Sequence, residues 1–306
     1  MSDILVGVDS STAAGRALDR ALLDGQRTGL PVRVLHAWQA PVWVAGALGQ
    51  VTDYSALASS VGSDHDARLA AEEVVAKART RLLSDAPVQV RVEVVQGSPG
   101  RALVAAAHDA VELVVGSRGH GALASALLGS TTGHVVHHAP CPVTIVPEHG
   151  APVGPYHRVV VGVDGSPGAR AALRHGFAVA ARERCPLVAV HAWVLGALPT
   201  GVDVFGAEEL ASYEAATRAW LATEVAATLG GTDDIADGVP LELLTVHGHA
   251  SQSLLDTAGP DDLLVLGSRG RGGFAGLRLG SVSAQCARHA PGTVTVLRAE
   301  HDEQPA

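Results

Sequence analysis

Leu113-Val114-Val115-Gly116-Ser117-Arg118-Gly119 carries an apolar run into a glycine turn, and nine residues later the chain reads Gly129-Ser130. The phrase returns as Leu263-Leu264-Val265-Leu266-Gly267-Ser268-Arg269-Gly270, again with nine residues before Gly280-Ser281. A short apolar run bounded by glycine reads as a buried strand, so each turn falls where a strand ends. Glycine there lets the backbone pass through positive φ and lets amides approach a ligand with no Cβ in the way. The second Gly-Ser pair can open the next helix with its free N–H groups. Those are the ingredients of an anion site.

The duplication extends along the chain. Val6-Gly7-Val8-Asp9-Ser10-Ser11 recurs as Val161-Gly162-Val163-Asp164-Gly165-Ser166, and His36-Ala37-Trp38 as His191-Ala192-Trp193, both at an offset of 155. The later matches, Gly116 to Gly267 and His138-Ala139-Pro140 to His289-Ala290-Pro291, are offset by 151, so copy two has a net loss of four residues between its second and fourth strands. The 306 residues therefore divide into two domains, 1–148 and 156–299, each long enough for its own core, joined by the Pro/Gly stretch from Glu148 to Pro155.

Each copy alternates strands and helices. Copy one reads as a strand at Ile4–Val8, a helix capped by Ser11 or Thr12, a strand at Val32–Ala37, a helix over 64–84, a strand at Val88–Val95, a short helix after Gly97-Ser98-Pro99, the strand before Gly116, a helix ending at Ala139-Pro140, and a strand at Val143–Val146. Copy two repeats the order, with its first helix opened by Ser166-Pro167, its long helix over Ala207–Leu229, and its last strand at Thr293–Leu297. The segments 38–62 and 193–206 are candidate lids. Continuous apolar strands alternating with helices imply a parallel sheet covered on both faces. The fold class is α/β, two tandem doubly wound, five-stranded, Rossmann-like domains. If strand order reverses beside the first strand, the crevice opens at the carboxyl ends of strands one and four, where Asp9 and Gly116, or Asp164 and Gly267, are written.

Composition excludes several classes. Acidic residues outnumber basic ones 31 to 22, divided 14 to 11 before residue 151 and 17 to 11 after it, and Lys77 is the single lysine. No basic patch is legible, so no nucleic-acid partner is expected. No apolar run approaches a membrane span, the start Met1-Ser2-Asp3-Ile4 lacks the positive region of a secretory signal, and Cys141, Cys185 and Cys286 show no CxxC spacing. A reduced, cytoplasmic protein with no membrane partner is expected. There is no P-loop, no GxGxxG after strand one and no GxSxG elbow.

Several residues carry two readings. Asp9 and Asp164 either cap the first helix or serve a ribose or a hydrated magnesium ion. Arg118 and Arg269 are either solvated charges or phosphate partners. His134, His137 and His138 have helical spacing a metal could use, yet only His138 recurs, as His289, which favours a surface or capping role. His36 and His191 read as buried, neutral and hydrogen-bonded, and the cysteines as small core hydrophobes.

With these residues the chain resembles the universal stress protein family in its tandem form, from Ile4 to Val146 and from Val159 to Leu297. The motif G-x-x-G-(nine)-G-[ST], with an Asp after strand one, is the mark of the family's ATP-binding branch, and both copies keep it. The resemblance implies one ATP with magnesium in each domain. Val8 and Asp9, and Val163 and Asp164, would line the nucleotide, and the main chain of Ala37 and Ala192 would read the adenine edge. Gly116, Arg118 and Gly119, with Val115 before them, would border ribose and phosphates, and Gly129, Ser130, Thr131 and Thr132 would hold the phosphate tail. The matching places in copy two are Leu266, Gly267, Arg269, Gly270, Gly280, Ser281, Val282 and Ser283, and at Val282 only the backbone contact carries over from Thr131. Copy two departs at Ala290-Pro291-Gly292-Thr293-Val294, where copy one reads Ala139-Pro140-Cys141-Pro142-Val143, and at Arg271, which replaces His120 and implies somewhat tighter phosphate binding. The resemblance also implies pairing of the two domains through Val143–Val146 and Thr293–Leu297 as an internal pseudo-dimer, and further homodimerisation.

The function implied is a stress-linked regulator whose conformation or partner choice depends on ATP occupancy. The alternatives are a slow ATPase and a scaffold that keeps the fold without using the pocket. No lysine or carboxylate pair is placed to activate water, so catalysis is not expected beyond weak intrinsic hydrolysis.

Overall fold

The computed structural model describes residues 2–39, 63–82, 88–119, 128–150, 153–194, 207–230, 238–271 and 279–298. The candidate lids fall almost wholly outside these residues, as does His120. The chain forms two units, Met1–His149 and Gly150–Ala306.

In the first unit β1 (Asp3–Gly7) leads into α1 (Thr12–Thr28), β2 (Val32–Trp38), α2 (Asp64–Leu82), β3 (Val90–Gln96), α3 (Pro99–Ala106), β4 (Ala110–Gly116), α4 (Ser130–His138) and β5 (Val143–Val146). All pairings are parallel, in the order β3-β2-β1-β4-β5. β1 is thus central, β2 on one side of it and β4 on the other, and the chain reverses its winding between β1 and β4. Helices α1 and α2 pack together over one face and α3 and α4 over the other. Alternate residues of the strands serve the two faces: Ile4, Val6, Val32, Val34 and Val114 meet Leu18, Ala21 and Val75.

The second unit repeats the plan with β6 (Val159–Gly162), α5 (Pro167–Glu183), β7 (Leu187–Trp193), α6 (Ala207–Leu229), β8 (Leu241–His247), α7 (Ala250–Thr257), β9 (Leu263–Gly267), α8 (Ser281–His289) and β10 (Thr293–Leu297). Its order is β8-β7-β6-β9-β10, also parallel. Val32 pairs with Val90 and Leu187 with Leu241. Leu187 stands 155 positions after Val32 and Leu241 stands 151 after Val90, so the four-residue loss lies between the second and third strands of copy two.

Local chemistry sets the helix that starts beside each site. Ser11 is the N-cap of α1, its Oγ accepting the Ala14 N–H, and Gly29 closes the helix at φ 72° with its amide on the Gly25 carbonyl. Ser166 caps α5 in the same way, followed by Pro167 at the first helical position. The entry to β10 is settled by Gly292. A Cβ there would stand 2.6 Å from the Gly259 carbonyl oxygen and 2.7 Å from that of Asp262, so only glycine fits. The departure from Cys141-Pro142 is a packing solution to a closely approaching backbone.

Candidate functional site

At the carboxyl end of β1 the Val8 amide donates to the Leu35 carbonyl, and at the end of β6 the Val163 amide donates to Val190. These bonds hold the next residue, Asp9 or Asp164, over the sheet edge. Asp9 Oδ1 accepts the Ser11 N–H at 2.9 Å and the Ser11 hydroxyl. Asp164 Oδ1 accepts the Ser166 N–H at 3.0 Å. The capping role therefore belongs to the serines, and the aspartates close a turn in front of them. Their second oxygens face the glycine phrase. A Cβ on Gly119 would lie 2.5 Å from Asp9 Oδ2 and one on Gly270 would lie 2.3 Å from Asp164 Oδ2, and that second oxygen also accepts the Arg271 N–H at 3.0 Å. Asp164 thereby ties the end of β6 to its glycine loop, and Asp9 stands against the same loop position in the first unit.

The glycines divide into two kinds. A Cβ on Gly116 would stand 2.6 Å from the Ala13 carbonyl carbon, and one on Gly267 would stand 2.5 Å from that of Gly168. These first glycines let strand and helix backbones touch. Gly129 and Gly280 have ordinary dihedrals, φ −64° and −77°, and each is the N-cap of a helix with no side-chain cap. Their own amides return to the Ser117 and Ser268 carbonyls at 2.8 and 2.7 Å. The first helical N–H groups, on Ser130, Thr131 and Thr132 or on Ser281, Val282 and Ser283, have no intrahelical acceptor. With the partial positive charge of the helix end, they form a receptor for an anion. The Thr132 hydroxyl donates to the Gly116 carbonyl at 2.7 Å and that of Ser283 to Gly267 at 2.6 Å, which pins the helix start to the strand end. Those two hydroxyl protons are committed to positioning.

Around these groups lies a cleft in each unit, about 210 Å³ in the first and about 540 Å³ in the second. The first brings together every position read in copy one, Val8, Asp9, Ala37, Val115, Gly116, Arg118, Gly119, Gly129, Ser130, Thr131 and Thr132. The second brings together Val163, Asp164, Ala192, Leu266, Gly267, Arg269, Gly270, Gly280, Ser281, Val282 and Ser283. Sequence reasoning missed the apolar wall, Leu35, Pro99 and Leu103 in one cleft and Val190, Ala250 and Leu254 in the other. The available signal was the helix start after each third strand, which the winding lays over β1 or β6. His36 and His191 are half-buried, and each Nδ1 contacts a carbonyl, Val8 at 2.9 Å or Val163 at 2.7 Å. A carbonyl only accepts, so Nδ1 carries the proton.

Charge differs between the units. Arg118 Nη1 is 3.8 Å from Glu148 Oε2, whereas Arg269 and Arg271 are exposed at the second cleft. The His134 ring stacks on His138 with centroids 4.3 Å apart, and His138 Nδ1 contacts the His134 carbonyl at 2.8 Å. Among the described residues no group of three His, Cys, Asp or Glu is placed to hold a metal. The three cysteines are free and buried, and burial pushes the Cys141 and Cys286 thiols up to about 12. No helix among the described residues is long and apolar enough to cross a membrane.

The family model described as "Universal stress protein family" matches residues 1–147 and 155–298. The chain belongs to the universal stress protein family. A universal stress protein of Mycolicibacterium smegmatis is 33% identical over 299 residues, covering 96% of this chain and 96% of that one. One from Mycobacterium tuberculosis strain H37Rv is 33% identical over 309 residues, covering 98% and 96%. The crystal structure of a universal stress protein from Archaeoglobus fulgidus matches with a TM-score of 0.62 at 21% identity, covering 98% of this chain and 100% of that one, and shares its fold. The matches to the two mycobacterial relatives extend over nearly the full length of this chain and of each relative.

Proposed function

We propose that each unit binds one adenine nucleotide, ATP in its magnesium form, and that the chain is a stress-linked cytoplasmic regulator whose conformation or partner choice follows occupancy. The observation that carries this reading is the convergence, twice over, of an uncapped helix start and a glycine loop on one side of a cleft with an apolar wall on the other. Backbone amides suit phosphate, and Leu103 or Leu254 with the strand-two edge at Ala37 or Ala192 suits a purine. Magnesium fits as the nucleotide's companion. Each cleft offers one carboxylate, Asp9 or Asp164, too few for an all-protein cage and sufficient for an ion that keeps waters and is carried by phosphates. Among the described residues no carboxylate pair or lysine stands ready to activate water, which favours binding over turnover.

Two further parts of the reading concern assembly. β5 and β10 each pair, within their own unit, with one neighbour, β4 or β9. Apolar edges such as Val143–Val146 and Thr293–Leu297 suit association, both of the two domains and of two chains. Light scattering on the purified protein reads the homodimer.

The central test is mass spectrometry of small molecules released by denaturing freshly purified protein. ATP is expected, with AMP or a cyclic nucleotide as the competing outcomes. Recovery of no nucleotide, together with no binding of added ATP, would refute the reading and favour a scaffold.

A further inference from the structure

The two clefts share a plan and differ in electrostatics. In the first, the arginine of the glycine phrase is engaged, Arg118 Nη1 lying 3.8 Å from Glu148 Oε2 with both side chains about a third exposed, 29% and 31%. Glu148 lies two residues past the end of β5, and its amide donates to Ser117 Oγ at 3.2 Å, so the carboxylate is anchored beside the glycine loop. In the second cleft Arg269 and Arg271 both line the wall, and among the described residues neither has an ion-pair partner. The position 151 residues after Glu148 is Ala299, and the next carboxylate along copy two, Glu300, lies outside the described residues. Among the described residues lining them, each cleft keeps one aspartate, beside one arginine 3.8 Å from a carboxylate in the first and two arginines with no ion-pair partner in the second.

Two other differences bear on the outcome. The first cleft is smaller, and Pro99 stands where the second has Ala250, adding a ring and removing an N–H from that helix start. Thr131 offers a hydroxyl where copy two has Val282. A neutral hydroxyl is about half as strong a phosphate partner as a guanidinium, so it does not offset the arginines.

Building on the nucleotide reading above, we propose that the two clefts respond to different features of the ligand. The second unit selects by phosphate number, favouring nucleoside triphosphate over monophosphate. The first unit selects weakly, because Glu148 competes with phosphate for Arg118 and repels each added negative charge. Glu148 is the specificity-determining residue of the first cleft and Arg271 that of the second. Across a range of triphosphate levels the chain then holds ATP in unit 2 while unit 1 exchanges mono- and triphosphate.

The test uses the full chain with one cleft closed at a time. Gly129→Asp or Gly280→Asp places a carboxylate at a helix start, where Asp is a favoured N-cap and the backbone dihedrals are ordinary, so the fold is kept while phosphate is repelled. Calorimetric titration with ATP and with AMP then reads each open cleft. With unit 1 closed, ATP is expected to bind at least about tenfold tighter than AMP, the worth of one charge-assisted contact. With unit 2 closed, the ratio is expected within about threefold, and adding Glu148→Gln raises ATP affinity by up to about fivefold, the limit for an exposed pair, and AMP affinity by less. Arg271→His in the second cleft is expected to bring its ratio towards that of the first. Equal ratios in the two clefts, or no response of ATP binding to Glu148→Gln, would overturn the proposal while leaving nucleotide binding intact. Absence of any nucleotide binding by the unaltered chain would overturn both.

Discussion

Gly267→Ala is expected to destabilise the second unit through backbone contact alone. A Cβ at this position would stand 2.5 Å from the Gly168 carbonyl carbon, 2.8 Å from its oxygen and 2.9 Å from its Cα. Non-bonded carbons settle at about 3.5–4.0 Å, so the end of β9 and the first turn of α5 must part by about 1 Å. No flexible side chain can yield, and the neighbours Val265, Leu266 and Ala172 are buried. Overfilling of a packed interior costs about 1–3 kcal/mol. For a unit of this size each kcal/mol moves the melting temperature by about 2–4 °C, giving a fall of about 2–12 °C. Scanning calorimetry reads the shift. Gly133→Ala is the control, because a Cβ there meets nothing within 4 Å and an interior helical alanine gains about 0.5–1 kcal/mol. A Gly267→Ala melt within a degree of the parent would refute the contact and return Gly267 to a purely ligand-facing role.

Other expectations follow from buried groups. Asp262, 3% exposed, accepts from Arg158 Nε at 2.9 Å and from the Gly259 amide at 2.7 Å, so Asp262→Ala should lower stability by about 1–3 kcal/mol in a urea titration by leaving that amide unsatisfied. Cys141 and Cys286, with thiols pushed up to about 12 chiefly by burial, should react with a thiol reagent at pH 8 far more slowly in the native protein than in denaturant. His134 is held below its ordinary value of 6.5, first by desolvation and then by His138 and Arg101. The unfolded chain therefore takes up this proton first as pH falls, so the stability tied to a neutral His134 is full above about 6.5 and declines below it. His134→Gln should flatten the urea midpoint between pH 7 and 5, and an unchanged slope would rule the residue out.

The strand and helix order was legible because the central strands carry apolar runs, such as Ile4-Leu5-Val6 and Leu113-Val114-Val115, and every first helix carries its own cap, Ser11 or Ser166. Bringing Asp9 to Gly116 needed the winding reversal, a condition that the pairing of β1 with both β2 and β4 meets. The roles within the motif were less legible. Nothing in the phrase Gly116-Ser117-Arg118-Gly119 tells that its first glycine serves a helix and its last serves a carboxylate, since both demands are for a missing Cβ. Thr132 and Ser283 read as phosphate ligands from position, while their hydroxyl protons go to a carbonyl of the preceding strand. Leu103 and Leu254 escaped because an apolar residue on a short helix looks the same whether it faces a core or a cleft. Glu148 escaped because its partner lies thirty residues back, across a strand pairing that sequence spacing does not express.

The helix starts at Gly129 and Gly280 leave their donors without a side-chain cap. Backbone donors of this kind attract small anions, so sulfate, chloride or inorganic phosphate in the medium would compete for them in proportion to concentration. Under the proposed function, nucleotide then wins its place by exchange with those ions. On that reading the threshold for occupancy is set by the ionic make-up of the surroundings as much as by the residues of the cleft, and it rises wherever free phosphate accumulates.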